Sequence, residues 1–378
     1  MSIFSVLTLI GGIAMFLFGM DIMGNGLRKV SGGKLESILE RMTSKPIKGV
    51  LSGALVTAVI QSSAATTVMV VGFVNSGIMN LIQASGVIMG ANIGTTITAW
   101  ILSLTGLQGD SFLIQMLKPS SFTPILALIG ICMLMFSRRG RKKDVGTILL
   151  GFAVLMFGMT TMTDAVAPLA EVPEFAEILM MFKNPILGVL AGAVLSAAMQ
   201  SSSASVGVMQ AMSATGSLAF GAAIPMILGQ NIGTCTTALI SCVGASKNAK
   251  RAAMVHLFFN IIGTVIFLVL FYSLNAIFKF PFFDDSLNSF NIAVIHTAFN
   301  VITTLILLPF SKQLCRLATL AVRDKKGTED KTPFIDERFL RTPSFALERC
   351  RATTVQMAEI SRATMTDALT IMHKYDAS

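Results

Sequence analysis

Charge is scarce in this 378-residue chain: 13% of the residues are charged, and none of these lies between Gly49 and Gly109 or between Pro185 and Ser246. Soluble domains carry about 25% charged residues. The deficit, with 53% hydrophobic residues and a mean hydropathy of +0.73, excludes a soluble globular protein. Histidine and cysteine are also sparse, at three and five. Cys132, Cys235, Cys242, Cys315 and Cys350 form no C-x-x-C pair, which leaves neither a zinc-ligand pattern nor a disulfide framework. Neither Ser63 nor Ser202 has a nucleophile elbow around it or an acidic triad partner nearby, so the chain is not read as an enzyme. Met1 to Met20 lacks a basic lead-in and a small-residue cleavage site, and reads as a retained span rather than a signal peptide. The net charge of +9 sits in short loops and is read as a positive-inside bias, not as a nucleic-acid surface.

What is present is written twice. Gln61-Ser62-Ser63-Ala64-Ala65 returns as Gln200-Ser201-Ser202-Ser203-Ala204, and Asn92-Ile93-Gly94-Thr95 returns as Asn231-Ile232-Gly233-Thr234, both at an offset of 139 (200 minus 61, 231 minus 92). The flanks keep that offset without a gap: Phe18-Gly19-Met20 matches Phe157-Gly158-Met159, and Pro46-Ile47 matches Pro185-Ile186. One unit was duplicated. Both motifs are small, polar interruptions of apolar stretches, where transporters place substrate and ion sites.

Loop charge predicts how the copies are oriented. Asp21 to Lys48 carries Arg28, Lys29, Lys34, Arg41, Lys45 and Lys48, whereas its counterpart Thr160 to Lys183 carries Asp164, Glu171, Glu174 and Glu177 with a single Lys183. Lys and Arg prefer the cytoplasmic side, so the two copies are expected to lie upside down relative to each other. Arg138 to Lys143 and Lys247 to Arg251 then lie inside, and Asp284 and Asp285 outside. Each charge-free block must cross the membrane an odd number of times. Three spans of about 20 residues leave no room for turns. A re-entrant hairpin followed by one span fits: Pro46 to Gly77 then Ala84 to Leu104, and Pro185 to Gly216 then Ala222 to Val243. The remaining spans are Ile3 to Met20, Phe122 to Phe136, Val145 to Gly158, Ala252 to Leu274 and Asn291 to Phe310.

The expected fold is therefore an all-α integral membrane protein with about seven spans and two inverted-topology repeats, each with a re-entrant helical hairpin carrying a Q-S-S motif. Its expected parts are repeat 1 (1–136), a basic cytoplasmic linker (137–144), repeat 2 with two C-terminal spans (145–310) and a cytoplasmic tail (311–378). In the tail, Lys325-Lys326-Gly327 and Pro333 mark a linker, and Ala346 to Tyr375 has an amphipathic recurrence. The N-terminus is expected outside and the C-terminus in the cytoplasm.

Ser, Thr, Asn and Gln oxygens can replace the hydration shell of an alkali cation. Hydroxyls, N–H groups and half-helix N-termini can hold an oxyanion. No Lys or Arg lies in either motif block, so an anion bound there is expected to lack a fixed positive partner and to need co-bound cations, which favours a symporter over an anion channel. The bland reading of intramembrane Ser and Thr is helix packing; duplication of two motifs at one offset weighs against it. His256 and His296, each four residues before Asn260 or Asn300, serve either interhelical hydrogen bonding with those residues or proton transfer. Asp21 and Asp164, at expected span ends, read as interfacial or capping residues.

At these residues the chain resembles the type II sodium/phosphate cotransporter family, whose hallmark is a duplicated Q-S-S-[SA] motif followed about 31 residues later by N-I-G-T. Here 92 minus 61 and 231 minus 200 both give 31. The resemblance implies sodium-coupled uptake of inorganic phosphate across a bacterial inner membrane by alternating access. It implies binding roles for Gln61, Ser62, Ser63, Thr66, Asn92 and Thr95 in copy one and for Gln200, Ser201, Ser202, Ser203, Asn231, Thr234, Thr236 and Thr237 in copy two, with sodium at Gln200, Ser201, Thr234 and Thr237. Apart from sodium no cofactor is expected; the expected partners are phosphate, the lipid bilayer and a second copy in a homodimer. The chain departs from the family pattern at Ala64, where a hydroxyl is lost, and at Cys235. Asp336-Glu337-Arg338-Phe339-Leu340 and Ala346-Leu347-Glu348 resemble the start of a PhoU-like helical domain, of which the remaining residues would form only part. Alternatives are a symporter for sulfate or a small carboxylate, and a non-transporting phosphate sensor.

Overall fold

The computed structural model describes residues 3–31, 34–41, 45–107, 111–137, 140–323 and 343–373. These are helical almost throughout: α1 (Ile3–Ser31), α2 (Lys34–Arg41), α3 (Pro46–Ile60), α4 (Ser63–Asn75), α5 (Leu81–Ser103), α6 (Phe112–Leu117), α7 (Pro119–Phe136), α8 (Arg141–Val166), α9 (Pro173–Met181), α10 (Pro185–Met199), α11 (Ser202–Ser213), α12 (Phe220–Ser241), α13 (Lys247–Phe278), α14 (Ser289–Leu307), α15 (Ser311–Ala321) and α16 (Pro343–His373). Among the described residues, seven helices are long and apolar enough to cross a bilayer: α1, α5, α7, α8, α12, α13 and α14, the last read together with α15. The chain is a multi-span, all-helical membrane protein.

Helix starts are set by local chemistry. Pro46 and Pro185 open α3 and α10 at positions that need no intrahelical donor. Asn80 and Gln83 form a reciprocal capping box on α5. Ser246 accepts from the Ala249 N–H and starts α13 within the basic segment, so this span begins five residues before the expected Ala252. Likewise α1 continues eleven residues past Met20, with Met23, Gly24 and Gly26 of this second half buried.

Glycines report how the helices lie. A Cβ on Gly12 would meet Met162 and Gly158, one on Gly19 would meet Leu155 and Gly151, and one on Gly26 would meet Ile148 and Asp144. Contacts move backward along α8 as they advance along α1, so these two equivalent helices pack antiparallel. By contrast Gly86 abuts Pro46, Gly90 abuts Val50 and Gly94 abuts Ala54, which makes α3 and α5 parallel and in step from their starts. Gly188, Gly192 and Gly233 repeat this between α10 and α12. Because α5 begins level with the start of α3, α4 must run back alongside them. Each copy is thus a helical hairpin followed by a long helix, as expected.

The two hairpins make their contacts at opposite ends of α13. At one end the Ser246 N–H donates to Asn75 Oδ1 (2.8 Å) and Arg251 donates to Val322 O (3.0 and 3.1 Å), which brings the end of the first hairpin beside the basic start of α13. At the other, Lys183 pairs with Asp284 (2.6 Å), and Ser213 at the end of α11 lies 3.4 Å from Ser289. The exposed faces are apolar: Ile47, Leu51 and Leu55 on α3 recur as Ile186, Leu190 and Val194 on α10, all exposed. Polar residues such as Thr57, Thr66, Ser196, Ser205, Asn260 and Asn300 are buried. The most buried spans are α5 and α12, with 72% of their apolar stretch inside, against 17% for α1 and α7.

The tail's amphipathic segment is helical as α16, with Leu347, Met357, Ile360, Met365, Leu369 and Met372 exposed. The expected linker at Lys325 to Pro333, the Asp336 to Leu340 segment, and Arg138 and Arg139 of the basic loop lie outside the described residues.

Candidate functional site

Each Q-S-S motif is the break in its hairpin, and the two breaks have the same backbone. Gln61 ends α3 at φ 59°, ψ 27°, and Gln200 ends α10 at φ 50°, ψ 26°, both in the left-handed region that non-glycine residues avoid at a cost of about 1–2 kcal/mol. Ser62 (φ −148°, ψ 101°) and Ser201 (φ −152°, ψ 114°) then swing the chain into a new helix. Each caps it by accepting the N–H three residues on, Ala65 and Ala204 respectively, at 3.2 Å. The next N–H groups, of Ser63 and Ala64 or Ser202 and Ser203, belong to a first turn and lack an intrahelical acceptor. Carbonyls at the ends of α3 and α10 and N–H groups at the starts of α4 and α11 therefore gather at each break.

Both breaks line one cavity of about 240 Å³. Its walls are Gln61 to Ala64, Met199 to Ser203, and from α1 Leu17, Met20, Asp21, Gly24 and Arg28. Seven predicted residues, Gln61, Ser62, Ser63, Gln200, Ser201, Ser202 and Ser203, are thus brought together although 139 positions separate the motifs.

The N-I-G-T helices stand behind this wall. Thr98 Oγ1 donates to Gln61 Oε1 (2.9 Å), and its repeat equivalent Thr237 donates to Gln200 O (3.3 Å). Gln61 also donates from Nε2 to Ala58 O, whereas the Gln200 amide has no hydrogen bond among the described residues. Thr66 is buried, bonded to Thr57 Oγ1 (2.9 Å) and Ser62 O (3.2 Å). Thr234 lies 3.4 Å from Ser196 and bonds Gln230 O; Thr95 bonds Ala91 O; Thr236 is half-buried. None of Thr66, Asn92, Thr95, Asn231, Thr234, Thr236 and Thr237 lines the cavity. Of the expected sodium ligands, Gln200 and Ser201 face it, Thr237 touches the Gln200 carbonyl, and Thr234 sits a layer further back.

The two Asn of the N-I-G-T motifs enter a buried chain. His256 Nε2 lies 3.3 Å from Asn92 Oδ1, Asn92 Nδ2 donates to Asn260 Oδ1 (3.1 Å), and Asn260 Nδ2 donates to Cys235 Sγ (3.2 Å), whose own thiol points to Asn231 O (3.7 Å). The network joins copy one to copy two through α13. This corrects one expectation: the side-chain partner of His256 is Asn92 on α5, and Asn260 meets His256 only at its backbone oxygen. Asn300 likewise donates only to His296 O (2.8 Å), and the His296 ring nitrogens have no partner among the described residues.

Two further expectations are corrected by α1. Asp21 is not at a span end: it lies in the interior of a 29-residue helix and faces the cavity. Nor does the cavity lack a fixed cation, because Arg28 lines it. Sequence reasoning missed Arg28 by searching for charge only within the motif blocks. The signal was the spacing of Asp21, Gly24 and Arg28, which share a helical face.

The chain matches the family described as Na+/Pi-cotransporter over residues 15–164 and again over 155–283, one match per copy. YqeW of Bacillus subtilis, an uncharacterized protein, is 30% identical over 257 residues, covering 68% of this chain and 79% of its own length. The putative inorganic phosphate export protein YjbB of Escherichia coli is 25% identical over 373 residues, 98% of this chain, which spans 66% of YjbB's length. Sodium-dependent phosphate transport protein 2B of Homo sapiens is 36% identical over 102 residues, 26% of this chain and 15% of its own. No solved structure matches. With both halves matched, over a span from residue 15 to residue 283 and through the two cavity-lining breaks, the chain belongs to the Na+/Pi-cotransporter family.

Proposed function

We propose that the chain carries inorganic phosphate across a cell membrane coupled to sodium, by alternating access of two inverted-topology repeats. The observation that carries this is the single cavity lined by both hairpin breaks. The antiparallel packing of the equivalent helices α1 and α8 and the contacts of the two hairpins at opposite ends of α13 support the inverted arrangement. At 15 and 13 residues α3 and α4 are about 22 and 20 Å long, too short to cross a hydrocarbon core of about 30 Å, which supports a re-entrant reading. The basic loops at the Ser246 end then face the cytoplasm.

Energetics favour co-transport. The N-termini of α4 and α11 each stabilise an anion by about 2 kcal/mol at most. Desolvating an ion in a protein interior costs several kcal/mol even after relaxation, and more for a multiply charged one. Beside Arg28, which lines the cavity, sodium ions at the carbonyl ends of α3 and α10, helped by Gln200, Ser201 and Thr237, close the rest of that gap and link the substrate to a gradient. Gradients set the direction, and the YjbB relatives' naming as putative export proteins favours efflux as a second reading beside uptake.

The test is radiolabelled phosphate flux in proteoliposomes under sodium gradients of either sign, against potassium and pH-gradient controls and excess sulfate. Sodium-dependent flux that sulfate leaves unchanged is the expected result. Binding without flux would favour a sensor, and suppression by sulfate another anion.

A further inference from the structure

We propose that Arg28, braced through Asn25 to Asp21, is the fixed cationic contact for the bound oxyanion in the shared cavity; this rests on the phosphate reading above. The brace runs along one face of α1. Arg28 Nη2 donates to Asn25 Oδ1 (3.1 Å), and Asn25 Nδ2 donates to Asp21 Oδ2 (2.9 Å). Asp21 and Arg28 both line the cavity with the two Q-S-S breaks. The height is right as well. A Cβ on Gly24 would sit 3.4 Å from Ile60 O, the residue before the first break, and Arg28 follows one helical turn later, about 6 Å along the axis.

The chemistry fits a tetrahedral oxyanion. A guanidinium offers two parallel N–H groups to two oxygens of one phosphate, a match an ammonium cannot copy. The N-termini of α4 and α11 reach the same space and supply only partial charge. Asn25 accepts from Arg28 and passes the polarisation to the Asp21 carboxylate, which limits the rotamers of a long side chain before substrate arrives.

The duplication makes the assignment sharper. At the same offset of 139, copy two has Thr160, Asp164 and Ala167 where copy one has Asp21, Asn25 and Arg28. The breaks are two-fold alike, yet among the described residues that line the cavity only Arg28 of α1 is a cation. Phosphate is therefore held asymmetrically, closer to copy one, with the sodium-binding carbonyls of copy two left free for cations.

The test is the phosphate dependence of sodium-driven flux in proteoliposomes for wild type, R28K, R28Q and D21N, with the sodium dependence recorded alongside and thermal unfolding as a folding control. R28Q should raise half-saturating phosphate about ten- to a hundredfold, the range for a lost charge-assisted hydrogen bond, with half-saturating sodium shifted far less. R28K, which keeps charge and bulk, should fold and fall between the two, and D21N should shift phosphate affinity in the same direction but by less. Millimolar guanidinium should partly restore flux to R28A. Wild-type flux with an unchanged phosphate dependence in folded R28Q and R28K would overturn the role of Arg28 alone. A folded wild type that moves no phosphate would overturn the phosphate reading and this assignment with it.

Discussion

The left-handed glutamines allow a stability prediction whose order is unusual. At position 200, replacement by Ala keeps the strained backbone and removes an amide with no hydrogen bond among the described residues, so stability should barely change. Replacement by Gly relieves about 1–2 kcal/mol of left-handed strain and returns about 0.5–1 kcal/mol as extra unfolded-chain entropy, a net gain of about 0.5–1 kcal/mol. At position 61 the side chain makes two bonds, from Thr98 and to Ala58 O, worth about 1 kcal/mol each. Q61A should lose about 2 kcal/mol and Q61G about 1. The expected order is Q200G above wild type and Q200A, then Q61G, then Q61A. Unfolding in a fixed detergent can be followed through Trp100, the chain's single tryptophan, whose Nε1 donates to Thr297. Finding Q200G no more stable than Q200A, or Q61A as stable as Q200A, would refute the reasoning. All four should lose flux, because both glutamines line the cavity.

Three other perturbations probe the frame. A Cβ on Gly90 or Gly229 would lie 2.0 Å from Val50 O or Val189 O, so G90A and G229A should each cost more than about 2 kcal/mol and reduce folded yield, while G11A, with nothing within 4 Å, should be tolerated; thermal unfolding measures all three. N92A removes a partner of both His256 and Asn260 and should destabilise by about 2–4 kcal/mol, and N92D, whose ionised carboxylate cannot donate to Asn260 Oδ1, should destabilise as well; equal stability of N92A and wild type would contradict the network. T237V leaves the Gln200 carbonyl without its hydroxyl partner and should raise half-saturating sodium more than half-saturating phosphate, whereas T98V, which releases only a side chain, should act more on stability.

Most of the frame was legible because duplication and hydropathy are local signals. The motif offset, the charge-free blocks and the parity of loop charge led to hairpin-plus-helix units, and the structure places Gly77 and Gly216, both at positive φ, at the expected hairpin ends. Three things were not legible. The left-handed turns carry Gln where a turn rule expects Gly. The pairing of His256 with Asn92 spans 164 residues and depends on how α13 crosses α5. Arg28 was hidden because hydropathy ends a span at its first charges, although a helix lining a polar cavity can carry charge on that face.

The meeting of the two breaks at one ligand is tested most directly by cross-linking. Ala64 and Met199 line the cavity from opposite copies without supplying a polar side-chain contact. In a chain whose exposed Cys132 and Cys350 are changed to serine, A64C and M199C should be joined within one molecule by a short bifunctional thiol reagent. Phosphate with sodium should slow that reaction, and potassium alone should not. Absence of an intramolecular cross-link in folded protein, or a rate indifferent to phosphate, would contradict a shared binding cavity.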